Sequence, residues 1–471
     1  MQKGDDIGLQ QIPENVHFVG IGGSGMSGLA RILIELGRKV SGSDLNETSI
    51  TNRLETMGAV CYTGHSSENA EGANMVVVST AIKPENPELI WAFEKGIPVI
   101  HRGELLALLM ERQSGIAVAG AHGKTTTTSM MALVLEKNNL DPTIVIGGEL
   151  NDIGGNAKFG RGQFLVAEAD ESDGSFLKLS PLIEIITNVE NDHLDYYGSV
   201  EKIKEAFKTF IAKVPEKGMA VVCLDDPGVR EIIESYDGPL VTYGLADSGA
   251  DYVIKNVILK GMTSRGEVYC RGKLLGTIEL SVPGLHNMQN ALAVVAAAMF
   301  VGLDFKNIAC ALREFKGAGR RFQLTGNVSG IQVVDDYAHH PSEIKATLKA
   351  AKQVGAKRII AVFQPHRYTR TFFLKDQFGL AFADSDLVIV SDIYSAGEQP
   401  IEGVNAGLIV DAVKRNGQEN VTYLCSRREI VDYLADFARP GDLILTMGAG
   451  NIWTAGVELV KRLRSNGVDA K

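Results

Sequence analysis

The stretch Val118-Ala119-Gly120-Ala121-His122-Gly123-Lys124-Thr125-Thr126-Thr127-Thr128 constrains this chain most, because an apolar run enters a glycine turn and leaves through Lys-Thr. Gly-Ile-Ala-Val-Ala precedes it and Ser129-Met130-Met131-Ala132-Leu133-Val134-Leu135 follows, so the order is strand, turn, helix. In that order the turn cradles a triphosphate. Backbone N–H groups converge on phosphate oxygens, the helix presents its positive dipole end, Lys124 reaches the β/γ-phosphates, and the Thr125 hydroxyl ligates Mg²⁺. The spacing departs from G-x-x-x-x-G-K-[ST], since Val118 stands where the first glycine belongs and Gly120 comes two residues later. A bare Gly-Lys-Thr is common in ordinary loops; the strand before it and the helix after it favour phosphate.

Length and charge limit what kind of phosphate-binding protein this is. At 471 residues the chain has room for roughly three domains of about 150 residues. Hydrophobic residues make up 45% and charged residues 22%, the balance of a packed α/β protein and not of a disordered scaffold. The net charge of −10 and the lack of a long basic run argue against a nucleic-acid partner. Met1-Gln2-Lys3-Gly4-Asp5-Asp6 has no apolar core of a targeting segment, and the longest apolar run, Ala291 to Leu303, is short for a membrane span. A cytoplasmic protein with no membrane partner is expected, with Ala291–Leu303 as a buried helix. Five cysteines occur without any C-x-x-C pair, which predicts reduced and mostly buried thiols and no zinc site.

Two further glycine turns divide the chain. Val16-His17-Phe18-Val19-Gly20-Ile21-Gly22-Gly23-Ser24-Gly25 fits G-x-G-x-x-G between a strand and a helix carrying Met26, Leu29, Ile32, Leu33 and Leu36. Asp44 follows the next strand at about the distance of a ribose-binding acid, so a diphosphate nucleotide is implied, either NAD or a nucleotide sugar. Strands at Met75–Val78 and Pro98–Ile100 lead to a polar link, which places a first domain at 1–113. The second, 114–322, holds the phosphate loop and two strands that run into carboxylates, Phe164–Ala167 into Glu168 and Ile183–Thr187 into Asn188, Asp192 and His193. Ligands gather beyond the carboxyl ends of parallel strands, so Glu168 and His193 join Thr125 as metal-ligand candidates, although Mg²⁺ prefers oxygen and a loop histidine is more often only locally bonded. Asn287 and Asn290 lie three apart on one face of a helical first turn. One asparagine is explained by capping; two with His286 point to recognition of a base. The third domain, 323–471, alternates strands and helices again. Its strand Arg358–Phe363 runs into Gln364-Pro365-His366-Arg367-Tyr368-Thr369-Arg370-Thr371, where Arg367 and Arg370 have the fork geometry to hold a carboxylate, although arginines in a loop are more often simply solvated.

Read in order, His17 to Met26, Gly120 to Thr125, Glu168 to Asp173, Asn191-Asp192-His193, His286 to Asn290, Gly319-Arg320-Arg321-Phe322 and Asp335-Asp336-Tyr337-Ala338-His339-His340-Pro341 resemble the Mur ligases of peptidoglycan synthesis over nearly the whole chain. The run Gln364 to Thr371 resembles the branch that adds the first amino acid of the stem peptide, not the branch that recycles whole murein peptides. The resemblance implies an α/β fold of three-domain Mur ligase architecture: a Rossmann-like N-terminal domain, a central P-loop ATPase domain and a Rossmann-like C-terminal domain. It implies ATP-dependent ligation of L-alanine to UDP-N-acetylmuramate, with two Mg²⁺ ions, by a monomer or homodimer. It gives catalytic roles to Lys124, Glu168, His193 and Arg321, and places ATP on Gly120, His122, Gly123, Lys124, Thr125, Thr126, His286, Asn287, Asn290 and Arg321. The UDP group falls to Gly22, Gly23, Ser24, Gly25, Met26 and Asp44, and L-alanine to Tyr337, His339, Arg367 and Arg370. Two departures stand out. Ala121 replaces the usual Thr, at a position where the backbone does the binding. Glu205-Ala206-Phe207 occupies the place of the carbamoylated lysine of several sister ligases, with Lys208 one residue off. A nicotinamide oxidoreductase leaves the second glycine turn and Glu168 without a role, and a nucleotide switch leaves Arg367 and Arg370 without one.

Overall fold

A computed structural model of the chain describes residues 11–150, 155–246 and 248–468; the charged start at Met1–Asp6 lies outside them. Its strands form three sheets. The first has five parallel strands, β1 (Asn15–Val19), β2 (Lys39–Asp44), β3 (Val60–Thr63), β4 (Met75–Val78) and β5 (Val99–His101), in the order β3-β2-β1-β4-β5. The helix Ser24–Glu35 buries Met26, Leu29, Ile32 and Leu33, as their spacing predicts, and Leu36 caps its end.

The second sheet is built on β6 (Ser114–Ala119), β7 (Thr143–Leu150), β8 (Gly155–Lys158), β9 (Phe164–Glu168), β10 (Ile183–Ile186), β11 (Met219–Cys223) and β12 (Leu240–Leu245). It continues into β13 (Tyr252–Lys260), β14 (Thr263–Cys270) and β15 (Lys273–Leu280), in the order β15-β14-β13-β12-β11-β10-β6-β9-β7-β8. Ile116, Ala117, Val118 and Ala119 are all fully buried on central β6, which accounts for a continuous apolar run where a half-exposed strand would alternate. The third sheet consists of β16 (Gln323–Val328), β17 (Ile331–Asp336), β18 (Arg358–Phe363), β19 (Leu387–Val390), β20 (Val421–Tyr423) and β21 (Asp442–Met447), in the order β16-β17-β21-β18-β19-β20. Only its edge strand β16 runs antiparallel to its neighbour.

The packing falls into two compact units. One comprises the described chain up to Asn256 with Glu267–Ile278 and Gln289–Phe315; the other comprises Val257–Gly266, Glu279–Met288 and everything described from Lys316 on. Ala291–Leu303 is largely the buried helix expected, beginning earlier and ending at Phe300. No helix among the described residues is long and apolar enough to cross a membrane. The thiols correct the reading from composition: of Cys61, Cys223, Cys270, Cys310 and Cys425 only Cys223, at the end of β11 between β10 and β12, is buried. Lys208 lies on the exposed side of the helix Val200–Ile211, whereas Ala206 and Phe207 fill the core.

Candidate active site

The phosphate loop leaves β6 through two glycines in left-handed conformations, Gly120 at φ 133° and Gly123 at φ 83°. A Cβ on Gly120 would lie 2.1 Å from the Thr187 hydroxyl, so only glycine lets the loop pass the end of β10. That end also clamps the turn. Asn188 accepts from the His122 N–H at 2.8 Å, and the Asn188 amide and Thr187 hydroxyl donate to the His122 carbonyl at 3.0 and 2.6 Å. The helix Lys124–Lys137 then starts with no side chain capping it, which leaves its first N–H groups free to receive an anion. Asn290 borders the same turn, its Oδ1 lying 2.8 Å from where a Gly123 Cβ would be.

Lys124 reaches back into the protein. Its ammonium donates to the Gly120 and Ala121 carbonyls at 2.6 and 3.3 Å and to Glu171 Oε1 at 2.7 Å. Burial pulls its affinity for protons down, but Glu171 and Asp170 outweigh burial and hold it above the ordinary lysine value. His193 Nε2 lies 3.6 Å from the same Glu171 oxygen and 3.6 Å from Asp192 Oδ2. The His193 backbone sits at φ 58°, a conformation that costs a non-glycine residue on the order of 1–3 kcal/mol and gathers at functional sites. Glu168, at the end of β9, accepts from the Gly147 N–H at 2.8 Å. Glu171 is 3% exposed, and its Oε2 has no hydrogen-bond partner among the described residues. A buried carboxylate oxygen so placed, in the loop that follows Glu168 and close to Asp170, fits an oxygen-seeking divalent cation.

The first glycine turn is held differently. Asp44 Oδ2 accepts the Gly22 N–H at 2.9 Å, and the Ser43 carbonyl accepts from Gly20 and Ile21. The helix that follows starts at Ser24 behind Gly23, again with no side-chain cap. Asn156 donates to the Ser24 carbonyl and, at 3.3 Å, to Ser27. The cation at this turn comes from elsewhere: the Arg102 guanidinium lies 3.4 Å from where a Gly25 Cβ would be, and donates to Asp170 at 2.6 Å and Asp173 at 3.0 Å. Arg102 does not stand out in the sequence, and Glu171 does so only as one member of the run Glu168 to Asp173. One signal existed for Arg102, which opens the helix Arg102–Met110: a cation at the positive end of a helix needs a nearby anion.

In the other unit, Arg367 and Arg370 do share a neighbourhood with His339 and Tyr337. Arg370 Nη1 lies 3.1 Å from His366 Nδ1, His366 stacks on Tyr394 at 5.7 Å, and His339 meets His366 edge-on at 5.8 Å. Arg367 adopts φ 72° while its N–H donates to the Tyr394 carbonyl. Arg320 and Arg321 both lie over the Tyr337 ring, at 4.9 and 5.2 Å. Arg321 also faces Glu343 at 3.5 Å, and Arg320 is bound to Asp335 and the Gly448 carbonyl. Burial and the charge of Arg321 push His286 down to about 4, so it is neutral at pH 7. Asn287 donates to the Pro283 carbonyl. His366, Tyr394, Arg320 and Glu343 were not singled out from the sequence as site residues: Tyr394 and Arg320 acquire their places through residues distant in the chain, whereas Glu343 and His366 lie only four residues from their partners His339 and Arg370.

Three family models match in chain order: the Mur ligase family catalytic domain over residues 15–114, the Mur ligase middle domain over 118–298, and the Mur ligase glutamate ligase domain over 320–450. The chain belongs to the Mur ligase family. It is 65% identical to UDP-N-acetylmuramate–L-alanine ligase of Pelotomaculum thermopropionicum over 96% of this chain and 98% of the relative. Among solved structures it is similar to UDP-N-acetylmuramate-alanine ligase MurC from Thermotoga maritima, with a TM-score of 0.81 and 31% identity over 96% of this chain and 99% of that one. A murein peptide ligase from Psychrobacter arcticus follows at a TM-score of 0.71 and 26% identity, covering 96% and 99%. The Mur ligase fold accounts for the two sheets with an uncapped helix behind a glycine turn and for the third, mainly parallel sheet.

Proposed function

We propose that this protein joins L-alanine to the carboxylate of UDP-N-acetylmuramate and converts ATP to ADP and phosphate. Lys124 at an uncapped helix end, facing a loop of carboxylates, carries the reading: it is a site for a triphosphate and its cation, placed where phosphoryl transfer needs both. A carboxylate does not condense with an amine, because oxide is too poor a leaving group. Transfer of the γ-phosphoryl group to the carboxylate gives an acyl phosphate. The alanine amine attacks the acyl carbon, the tetrahedral intermediate collapses, and phosphate leaves as the amide forms.

In this reading Lys124 and the N–H groups of Gly123, Thr125 and Thr126 hold the β- and γ-phosphates, with His122 and Gly120 shaping the loop and Arg321 adding charge. Thr125, Glu168 and His193 hold two Mg²⁺ ions, which supply charge neutralisation when bound. His286, Asn287 and Asn290 take the adenine. Gly22 to Met26 with Asp44 take the UDP group, and Tyr337, His339, Arg367 and Arg370 the alanine carboxylate. The domains divide at 113/114 and 322/323. The protein works in the cytoplasm as a monomer or homodimer, on small molecules and without nucleic acid or membrane. Incubating it with ATP, Mg²⁺, UDP-N-acetylmuramate and each amino acid in turn, with phosphate release as readout, tests this. Release that depends on L-alanine supports it; release independent of any amino acid, or only with a tripeptide, replaces it.

A further inference from the structure

Lys124 carries three donor hydrogens, and three acceptors already take them: the Gly120 carbonyl, the Ala121 carbonyl and Glu171 Oε1. To reach a phosphate the ammonium must release at least one. Glu171 is the charged partner, is buried, and shares Oε1 with His193 while Oε2 faces no donor among the described residues. A carboxylate in that position opposes an incoming phosphate but favours a cation that arrives with it, because charges interact strongly where water is excluded. We propose, resting on the ATP reading above, that Glu171 is a positioning residue that parks Lys124 in the nucleotide-free protein and makes nucleotide binding depend on the metal. When the metal nucleotide binds, Lys124 passes from Glu171 to the phosphates, and Glu171 keeps its contact with His193 and faces the cation.

Glu171→Gln keeps the shape and removes the charge. Calorimetric titration of the full chain with ATP in EDTA, and with ATP in excess Mg²⁺, gives two dissociation constants. Their ratio, metal-free over metal-bound, is expected to be large for the unmodified protein. It should fall at least about fivefold in Glu171→Gln, mainly because metal-free ATP binds more tightly. Glu171→Asp keeps the charge and should keep the ratio. Glu171→Ser carries the same expectation as Gln and replaces it if the Gln variant does not fold. An unchanged ratio, or weaker binding of metal-free ATP, overturns the proposal, since a residue needed only for folding weakens both constants together. If the unmodified protein binds ATP under neither condition, the ATP reading itself fails; if it binds metal-ATP and the ratio does not move, only the role of Glu171 does.

Discussion

The two glycine turns of the first unit have the same construction and opposite charge logistics. Each follows a buried parallel strand, bends at a left-handed glycine and opens a helix that no side chain caps. The second turn brings its own cation, Lys124, and neutral groups, Thr187 and Asn188, clamp it. The first has no cation in its sequence and borrows Arg102, while an acid, Asp44, holds its backbone. A helix N-terminus is thus a general anion site, and in these two turns the neighbouring positive charge has different origins, from within the turn in one and from the start of a distant helix in the other.

The largest expected effect tests the built-in cation. Lys124→Ala should lower turnover by on the order of 10²–10³ with the circular dichroism unchanged. Near-normal phosphate release from a folded variant breaks the assignment of the second turn. The borrowed cation should matter less and elsewhere: Arg102→Met loses charged hydrogen bonds of about 1.5–3 kcal/mol, so the apparent constant for UDP-N-acetylmuramate should rise roughly 10–150-fold while that for ATP moves little. Equal rises in both would mean that Arg102 only ties Asp170 and Asp173 down.

The smallest effect concerns the acid-held turn. Beside Asp44, the Ser43 hydroxyl donates to Glu88 at 2.7 Å, and Asn69 donates to the other oxygen at 2.9 Å. Burial pushes the Glu88 carboxyl up, but the His17 ring 3.7 Å away and hydrogen bonds from Ser43 and Asn69 outweigh it and hold it down at about 2. A depressed carboxylate stabilises the fold above its unfolded value of about 4.5 and loses that contribution as pH falls towards 2. Urea midpoints measured between pH 5 and pH 2.5 should therefore fall less steeply in Glu88→Gln than in the unmodified protein. Identical slopes would show that Glu88 does not set the acid sensitivity of this sheet.

Most strands that carry the site were legible, because a covered parallel strand must be apolar throughout and must end where polar residues begin. Phe164–Ala167, Ile183–Thr187 and Arg358–Phe363 all correspond to strands within a residue at either end. The meander β13–β15 and the edge strand β16 were not read, since strands with an exposed face, such as Tyr252–Lys260 with its exposed Lys255, Asn256 and Lys260, lack that signal, whereas Ile331–Val334 of buried β17 was legible. The turn that carries Lys124 and Thr125 was legible as strand, turn and helix, and Arg367, Arg370 and His339 as members of polar clusters at strand ends. Their partners Glu343, His366 and Tyr394 were not.

By itself the sequence determined the local chemistry: where each strand meets a glycine turn, that Lys124 and Thr125 open a helix, and that the order of motifs is that of a Mur ligase. Those features depend on backbone preferences and spacing within a few residues. Tertiary structure alone decided that the Lys124 ammonium rests on Glu171, 47 residues away, and that Arg102 lies over the first turn while bound to Asp170 and Asp173, 68 and 71 residues away. Such pairings depend on which strand ends the sheet order brings side by side, and on burial that forces a charge to find its counter-charge.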